Sequence, residues 1–90
     1  MIQKLLQKKI SVLGQGFVGL PLTLLLSSRN YNVNGYDINA SLIKDLQNNK
    51  KINKIITEKS LLNLYKKEIN KKNLSFDVQL SSSEIFIICV

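Results

Sequence analysis

The chain has 90 residues, 44% of them hydrophobic and 21% charged, and a formal net charge of +7. This length allows a single small domain, and the composition is that of a water-soluble globular protein, which excludes the fibrous and disordered classes. Cys89 is the only cysteine, so an internal disulfide is excluded, and no stretch reaches the ~18 consecutive apolar residues that a membrane span needs.

The positive charge is almost entirely lysine, because Arg29 is the only arginine. Clustered cations favour nucleic acids through counterion release. These lysines, however, alternate with asparagines on surfaces expected to face solvent, with few aromatic residues among them, so we expect no nucleic-acid partner. The N-terminus, M-I-Q-K-L-L-Q-K-K, is too short and too mixed for a signal peptide. We therefore expect a cytoplasmic protein without a membrane partner.

The first predicted strand covers residues 9–13, a short β-favouring run. The letters G-Q-G-F-V-G follow as a G-x-G-x-x-G motif, and they open a helix expected over residues 17–28. Pro21 is tolerated in this helix because it lies in the first turn, where intrahelical N–H bonds are missing anyway. Apolar residues surround the helix rather than forming one stripe, so we expect further protein to cover it, and a homo-oligomer.

Each residue of the glycine motif has a physical role in binding a dinucleotide. Gly14 permits the tight turn out of the strand, Gly16 lets the backbone approach a pyrophosphate, and Gly19 lets the helix lie close to the sheet. Unpaired N–H groups near Phe17 and Val18 would then face the two phosphates at the positive end of the helix dipole. The alternative is a glycine-rich turn that binds nothing.

The second predicted strand, residues 33–37, ends on Asp37 at about the spacing that a dinucleotide fingerprint expects. A carboxylate there accepts from the ribose 2′-OH and repels a 2′-phosphate. Neither Ile38 nor Asn39 supplies an arginine, so the sequence favours NAD over NADP as the cofactor. A competing interpretation takes Asn34-Gly35 as a type I′ hairpin turn. If the strand is instead continuous, Gly35 leaves the backbone bare where adenosine would lie.

The rest of the chain completes one half of an α/β fold. We predict helices over 40–48 and 58–70, a partly packed connector over 49–57, a strand over 74–78, a polar turn over 81–84 and a strand over 85–90. The last strand is continuously apolar, which suits a central parallel strand covered on both faces. The expected fold is half of a doubly wound Rossmann domain, a parallel sheet in the order 3-2-1-4 with crossover helices. Residues 1–90 are then a partial domain, truncated after the fourth strand.

The segment 10–21, I-S-V-L-G-Q-G-F-V-G-L-P, resembles the opening of the UDP-glucose/GDP-mannose dehydrogenase family, which typically reads V-I-G-x-G-[YF]-V-G-L-P. G-Y-D-I-N at 35–39 is similar to that family's G-[FV]-D-I-[ND]. I-I-C-V at 87–90 is similar to the strand that leads into its V-P-T-P. E-K-S-L at 58–61 departs from its E-P-[GD]-L by a lysine. The resemblance implies cofactor contacts from Asp37, Asn39 and Val90 in addition to the glycine-rich turn.

The resemblance also implies an activity, that of an NAD-dependent nucleotide-sugar 6-dehydrogenase. G-L-P-L at 19–22 resembles the branch of the family that oxidises UDP-N-acetyl-hexosamines. The expected substrate is UDP-N-acetylmannosamine, and the expected product is a uronate for surface polysaccharide. The family's catalytic cysteine, lysine and asparagine would lie beyond Val90. No catalytic residue is therefore expected here, and the 90-residue chain alone is expected to be inactive.

Two other functions stay open at this point. One is a different NAD-linked Rossmann dehydrogenase, and the other is a truncated, non-catalytic stub that binds nucleotide weakly or only packs against a partner. Cys89 lies in an apolar strand, where a thiol acts as a small hydrophobe rather than as a nucleophile. The chain has no histidine, and its carboxylates show no ligand spacing, so we expect no metal site.

Overall fold

The structure is a computed structural model that describes residues 8–89. They form a four-stranded sheet and four helices. The strands are β1 (Lys9–Leu13), β2 (Asn32–Tyr36), β3 (Leu74–Asp77) and β4 (Ile85–Ile88). The helices are α1 (Gly19–Ser28), α2 (Ala40–Asn48), α3 (Ile52–Ile55) and α4 (Lys59–Glu68).

The sheet has the order β3-β2-β1-β4, and every neighbouring pair is parallel. Ile10 of β1 pairs with Val33 on one side and with Ile85 on the other. The 3-2-1-4 order expected from the sequence is confirmed. The hairpin interpretation of Asn34-Gly35 is wrong, because β2 runs straight through these residues between two parallel neighbours.

The hydrophobic core lies between one face of the sheet and the helices. Its strand residues alternate along β1, β2 and β3, and its helical residues come from α1, α2, α3 and α4. The buried apolar side chains are Ile10, Val12, Leu20, Leu24, Val33, Ile43, Leu46, Ile52, Ile56, Tyr65, Leu74 and Phe76. Since Ile52 and Ile56 belong to the lysine-rich connector, this segment is packed as predicted, and it contains the short helix α3, which the sequence did not predict.

The opposite face of the sheet is polar at its centre. Ser11 and Asn34 are completely buried there, beneath the connection from β3 to β4. The Ser11 hydroxyl lies 2.6 Å from that of Ser83. The Asn34 side chain bonds the hydroxyls of Ser75 and Ser81 in either orientation of its amide. This serine-rich connection takes the place of a crossover helix on this face, in agreement with the polar turn predicted over 81–84.

Strand β4 has only one covered face among the described residues. Ile85 and Ile87 pack against the core, whereas Phe86 and Ile88 are 46% and 73% exposed on the other face. The expected burial on both faces is therefore not observed. The physical reason is that α1, α2 and α4 share a core with the same face of the sheet, so this part of the chain provides no helix for the other face.

The apolar residues of helix α1 do not form a single stripe, because polar residues occupy part of its buried face. Two of its buried residues are polar, Thr23 and Ser27. Thr23 donates to the Gly19 carbonyl at 2.8 Å, and Ser27 donates at 2.8 Å to the buried carboxylate of Glu68 in α4. Lys71 lies 2.9 Å from the other oxygen of that carboxylate. Hydrogen bonds thus join α1 to α4 where a simple amphipathic helix would use leucines.

Tyr65 of α4 is completely buried, and its hydroxyl donates to the Leu46 carbonyl of α2. Burial raises the pKa of Tyr65 to about 12, and a hydrogen bond with the Asn49 backbone opposes this shift. Below pH 10 the phenol is neutral in both the folded and the unfolded chain. Between pH 10 and pH 12 it ionises mainly in the unfolded chain. Ionisation then stabilises the unfolded chain alone, so the free energy of unfolding falls as the pH rises through this range.

We therefore expect the free energy of unfolding to fall by about 2 kcal/mol between pH 10 and pH 12 because of this one group. Tyr65→Phe should cost about 1 kcal/mol at pH 7 for the lost hydrogen bond and should lack this alkaline decrease. Urea unfolding of the wild type and Tyr65→Phe between pH 10 and pH 12 measures the difference between their free energies of unfolding. The titration of the lysines is common to both proteins and cancels in this difference. Parallel pH profiles for the two chains would contradict the assignment.

Candidate functional site

The candidate site lies at the carboxyl edge of the sheet, where the glycine-rich turn joins β1 to α1. Gly14 has a φ of +99°, a conformation that favours glycine. Its N–H donates to the Tyr36 carbonyl at 2.7 Å, and a Cβ at this position would lie on the Cys89 carbonyl oxygen. Gly14 is therefore held between the ends of β2 and β4.

The other two glycines of the turn differ sharply in their surroundings. A Cβ at Gly19 would overlap the Gly14 carbonyl oxygen, so Gly19 is required for the close approach of α1 to the turn. A Cβ at Gly16 would meet nothing within 4 Å. The fold therefore requires Gly14 and Gly19, whereas nothing within residues 8–89 packs against Gly16. An open position next to a helix N-terminus is what the close approach of a phosphate needs.

Free backbone donors surround this opening. Helix α1 begins at Gly19, two residues later than predicted, and Phe17 and Val18 form a turn before it. Within residues 8–89, no acceptor bonds the N–H groups of Gly16, Phe17, Val18 or Gly19. Of these, only the Gly19 N–H belongs to the first helical turn, and the other three precede it; N–H groups left unpaired at the positive end of a helix dipole attract anions. Phe17 is fully exposed and Val18 is 63% exposed, so the turn is accessible to a ligand.

Asp37 follows β2 and reaches the same turn. Its Oδ2 accepts the Gln15 N–H at 2.8 Å, and its Oδ1 accepts the Asn39 N–H at 2.9 Å. An ionised carboxylate offers about four acceptor positions, so two remain for a ligand. Arg29, the only arginine in the sequence, is the C-cap residue of α1, at the opposite end of the helix from the turn.

Asn39 is the N-cap residue of α2, where its side chain accepts the Leu42 N–H at 3.1 Å. The structure therefore places Asn39 next to Asp37, in a capping role that the family motif alone did not indicate. Val90 lies outside the described residues. Cys89, just before it, donates its N–H to the Leu13 carbonyl at 2.8 Å, which brings the end of β4 to the turn.

Gln15 is a residue of the site that the sequence did not single out. It is 2% exposed, and its Nε2 donates to the carbonyls of Val12 and Gly14 at 3.0 and 3.3 Å. Its Oε1 is buried without a partner in the described part of the chain. A Cβ on Gly35 would lie 2.7 Å from that oxygen and equally close to the Phe76 ring. Gly35 therefore makes room for Gln15, which corrects the expectation that it leaves space for adenosine.

An apolar groove of about 380 Å³ opens beside the turn. It lies between the start of α1, helix α2 and the segment before α4, and its walls include Gly16, Phe17, Pro21, Leu42 and Leu61. Because the groove shares Gly16 and Phe17 with the turn, a ligand held by its phosphates would have an apolar surface beside it. Among residues 8–89, no three metal-binding side chains come together, and no helix is long and apolar enough to cross a bilayer.

Comparisons with known proteins agree with this geometry. Residues 8–90 match the UDP-glucose/GDP-mannose dehydrogenase family, NAD binding domain. A UDP-N-acetyl-D-mannosamine dehydrogenase of Methanococcus maripaludis is 39% identical over 83 residues, which are 92% of this chain and 19% of that protein. The solved UDP-N-acetyl-mannosamine dehydrogenase of Staphylococcus aureus superposes with a TM-score of 0.81 at 31% identity, covering 91% of this chain and 19% of that one.

A solved UDP-D-ManNAc dehydrogenase from Pyrococcus horikoshii gives a TM-score of 0.80 at 33% identity, over 91% of this chain and 20% of that one. The chain thus spans about a fifth of the length of the relatives that it matches. The match covers the glycine-rich turn, Asp37 and all four strands. We conclude that this chain belongs to the UDP-glucose/GDP-mannose dehydrogenase family and corresponds to its NAD-binding domain.

Proposed function

We propose that this chain is the NAD-binding first part of a nucleotide-sugar 6-dehydrogenase that oxidises UDP-N-acetylmannosamine to the corresponding uronate for surface polysaccharide. The substrate is inferred from the named activities of the relatives. We further propose that the protein acts in the cytoplasm as a homo-oligomer, and that the sugar-binding and catalytic groups belong to a part of the enzyme beyond these 90 residues.

The observation that carries the cofactor assignment is the open position at Gly16 surrounded by free N–H groups. In this proposal the N–H groups of Gly16, Phe17 and Val18 bind the pyrophosphate, while Gly14 and Gly19 shape the turn. Asp37 accepts from the adenosine ribose, and Asn39 and Val90 border the cofactor. Bound NAD supplies the hydride acceptor, and the residues of this chain bind and orient it.

The proposal predicts that the chain binds NAD more tightly than NADP, by at least about tenfold, because a 2′-phosphate would face the Asp37 carboxylate. Asp37→Ala should narrow this gap by removing the repulsion. Isothermal titration calorimetry of NAD and NADP into the unmutated chain and Asp37→Ala measures the two affinity ratios. Equal affinities in the unmutated chain would contradict the proposed ribose contact, and no binding of either cofactor would contradict the NAD site.

A further inference from the structure

Asp37 accepts two hydrogen bonds from backbone N–H groups of the chain itself. The bond from the Gln15 N–H to Oδ2, at 2.8 Å, spans from the end of β2 to the second residue of the glycine-rich turn. The bond from the Asn39 N–H to Oδ1 fixes the carboxylate at the start of α2. A carboxylate that accepts two backbone N–H groups in this way connects the two loops that flank the site.

Other hydrogen bonds hold the turn through its ends and its carbonyls. The Gly14 N–H donates to the Tyr36 carbonyl at 2.7 Å, and the Gln15 side chain donates to the carbonyls of Val12 and Gly14. The carbonyls of Gly16 and Val18 accept N–H groups of α1 at 3.2 and 3.3 Å, but no acceptor within residues 8–89 bonds the N–H groups of Gly16, Phe17 or Val18. The Gln15 N–H is therefore the last bonded N–H before the free donors, and its acceptor is charged, which makes the stronger kind of hydrogen bond.

We infer that Asp37 is a positioning residue for the phosphate-binding turn in addition to its ribose contact. By holding the Gln15 N–H, its carboxylate orients the following N–H groups before the cofactor arrives, which lowers the entropy cost of binding phosphate. The two roles are compatible, because the carboxylate has acceptor positions left for a ribose hydroxyl. This inference rests on the proposed NAD site and assigns Asp37 a second role within it.

The test separates the two roles with a ligand that lacks both ribose hydroxyls. ADP and 2′,3′-dideoxy-ADP are titrated into the wild-type chain, Asp37→Ala and Asp37→Asn, with circular dichroism and thermal midpoints recorded to confirm an intact fold. An Asp37 that only contacts the ribose hydroxyls cannot affect the dideoxy ligand through a hydrogen bond. We expect Asp37→Ala to weaken the binding of 2′,3′-dideoxy-ADP as well, by about tenfold, the usual effect of one lost hydrogen bond to a charged group.

Asp37→Asn is the matched control for charge. Both variants remove the same negative charge near the phosphates, but the asparagine oxygen still accepts one of the two backbone N–H groups. We expect its affinity for 2′,3′-dideoxy-ADP to lie between those of the wild type and Asp37→Ala. Hydrogen exchange of the Gln15 amide, followed by NMR without ligand, should be slow in the wild type and faster in Asp37→Ala.

The outcomes distinguish the inference from the proposed function. If Asp37→Ala binds 2′,3′-dideoxy-ADP as tightly as the wild type does, the positioning role is wrong and the NAD site stands. The same conclusion follows if the alanine and asparagine variants both bind that ligand more tightly than the wild type does, because the lost negative charge then decides the affinity. If the folded wild-type chain binds neither nucleotide, the proposed function itself is wrong, and the second role of Asp37 is wrong with it.

Discussion

Gly16→Val should abolish nucleotide binding and leave the fold unchanged. A Cβ added to Gly16 would meet no atom within 4 Å, and Gly16 does not have a positive φ. A side chain at this position therefore starts in open space, and we expect a change in the free energy of unfolding within about 0.5 kcal/mol. The same side chain would occupy the place where a pyrophosphate must approach the backbone donors. We expect the affinity for NAD to fall at least about 100-fold, since several charge-assisted hydrogen bonds are lost together.

Gly19→Ala is the structural counterpart of this experiment. Even a single methyl group at Gly19 would overlap the Gly14 carbonyl oxygen, so the turn and the start of α1 must rearrange. We expect a clear loss of thermal stability for Gly19→Ala and none for Gly16→Val. Calorimetric titration with NAD, together with thermal unfolding of both variants, measures this contrast. Undiminished NAD binding by Gly16→Val would mean that the glycine-rich turn is only a structural connection.

The purified 90-residue chain should self-associate through the exposed face of β4. Phe86 and Ile88 project from this face with 46% and 73% of their surfaces exposed, and β4 is an edge strand of the described sheet. An apolar edge strand is a template for pairing with another chain. Burial of apolar surface contributes about 25 cal/mol per Å², so covering several hundred Å² offsets the cost of association. The same apolar face on a second copy of the chain can cover these two side chains, so we expect the chain to pair with itself.

Light scattering at about 100 µM should therefore detect dimers or larger species. At this concentration, complexes with an association free energy of roughly −6 kcal/mol are populated. The double variant Phe86→Lys and Ile88→Lys should be monomeric, because two charges would have to be buried at the interface. Ile38→Lys is the control for an exposed apolar residue elsewhere, since Ile38 is 85% exposed but follows β2, which β1 separates from β4. It should associate like the wild type. A monomeric wild-type chain would contradict this account of the β4 face.

The order of the elements and the glycine-rich turn followed from the sequence alone. The strand before the turn, the spacing from Gly14 to Asp37 and the apolar run at the end of the chain are local patterns. In a parallel α/β fold such patterns allow few topologies, so the 3-2-1-4 order was predictable. The positions of Gly14 and Gly19 were also predictable, because only glycine fits a positive φ or so close a backbone contact.

The tertiary structure decided which groups meet around the turn. Gln15 occupies a variable position of the motif, and only the packing of β1 against β2 shows that its side chain is buried over Gly35. Glutamate is seldom fully buried, yet Glu68 is buried and accepts a hydrogen bond from Ser27 of another helix. The bond from Gln15 to Asp37 joins residues 22 positions apart. Periodicity describes one element at a time, so contacts between side chains of different elements are set only when the whole chain packs.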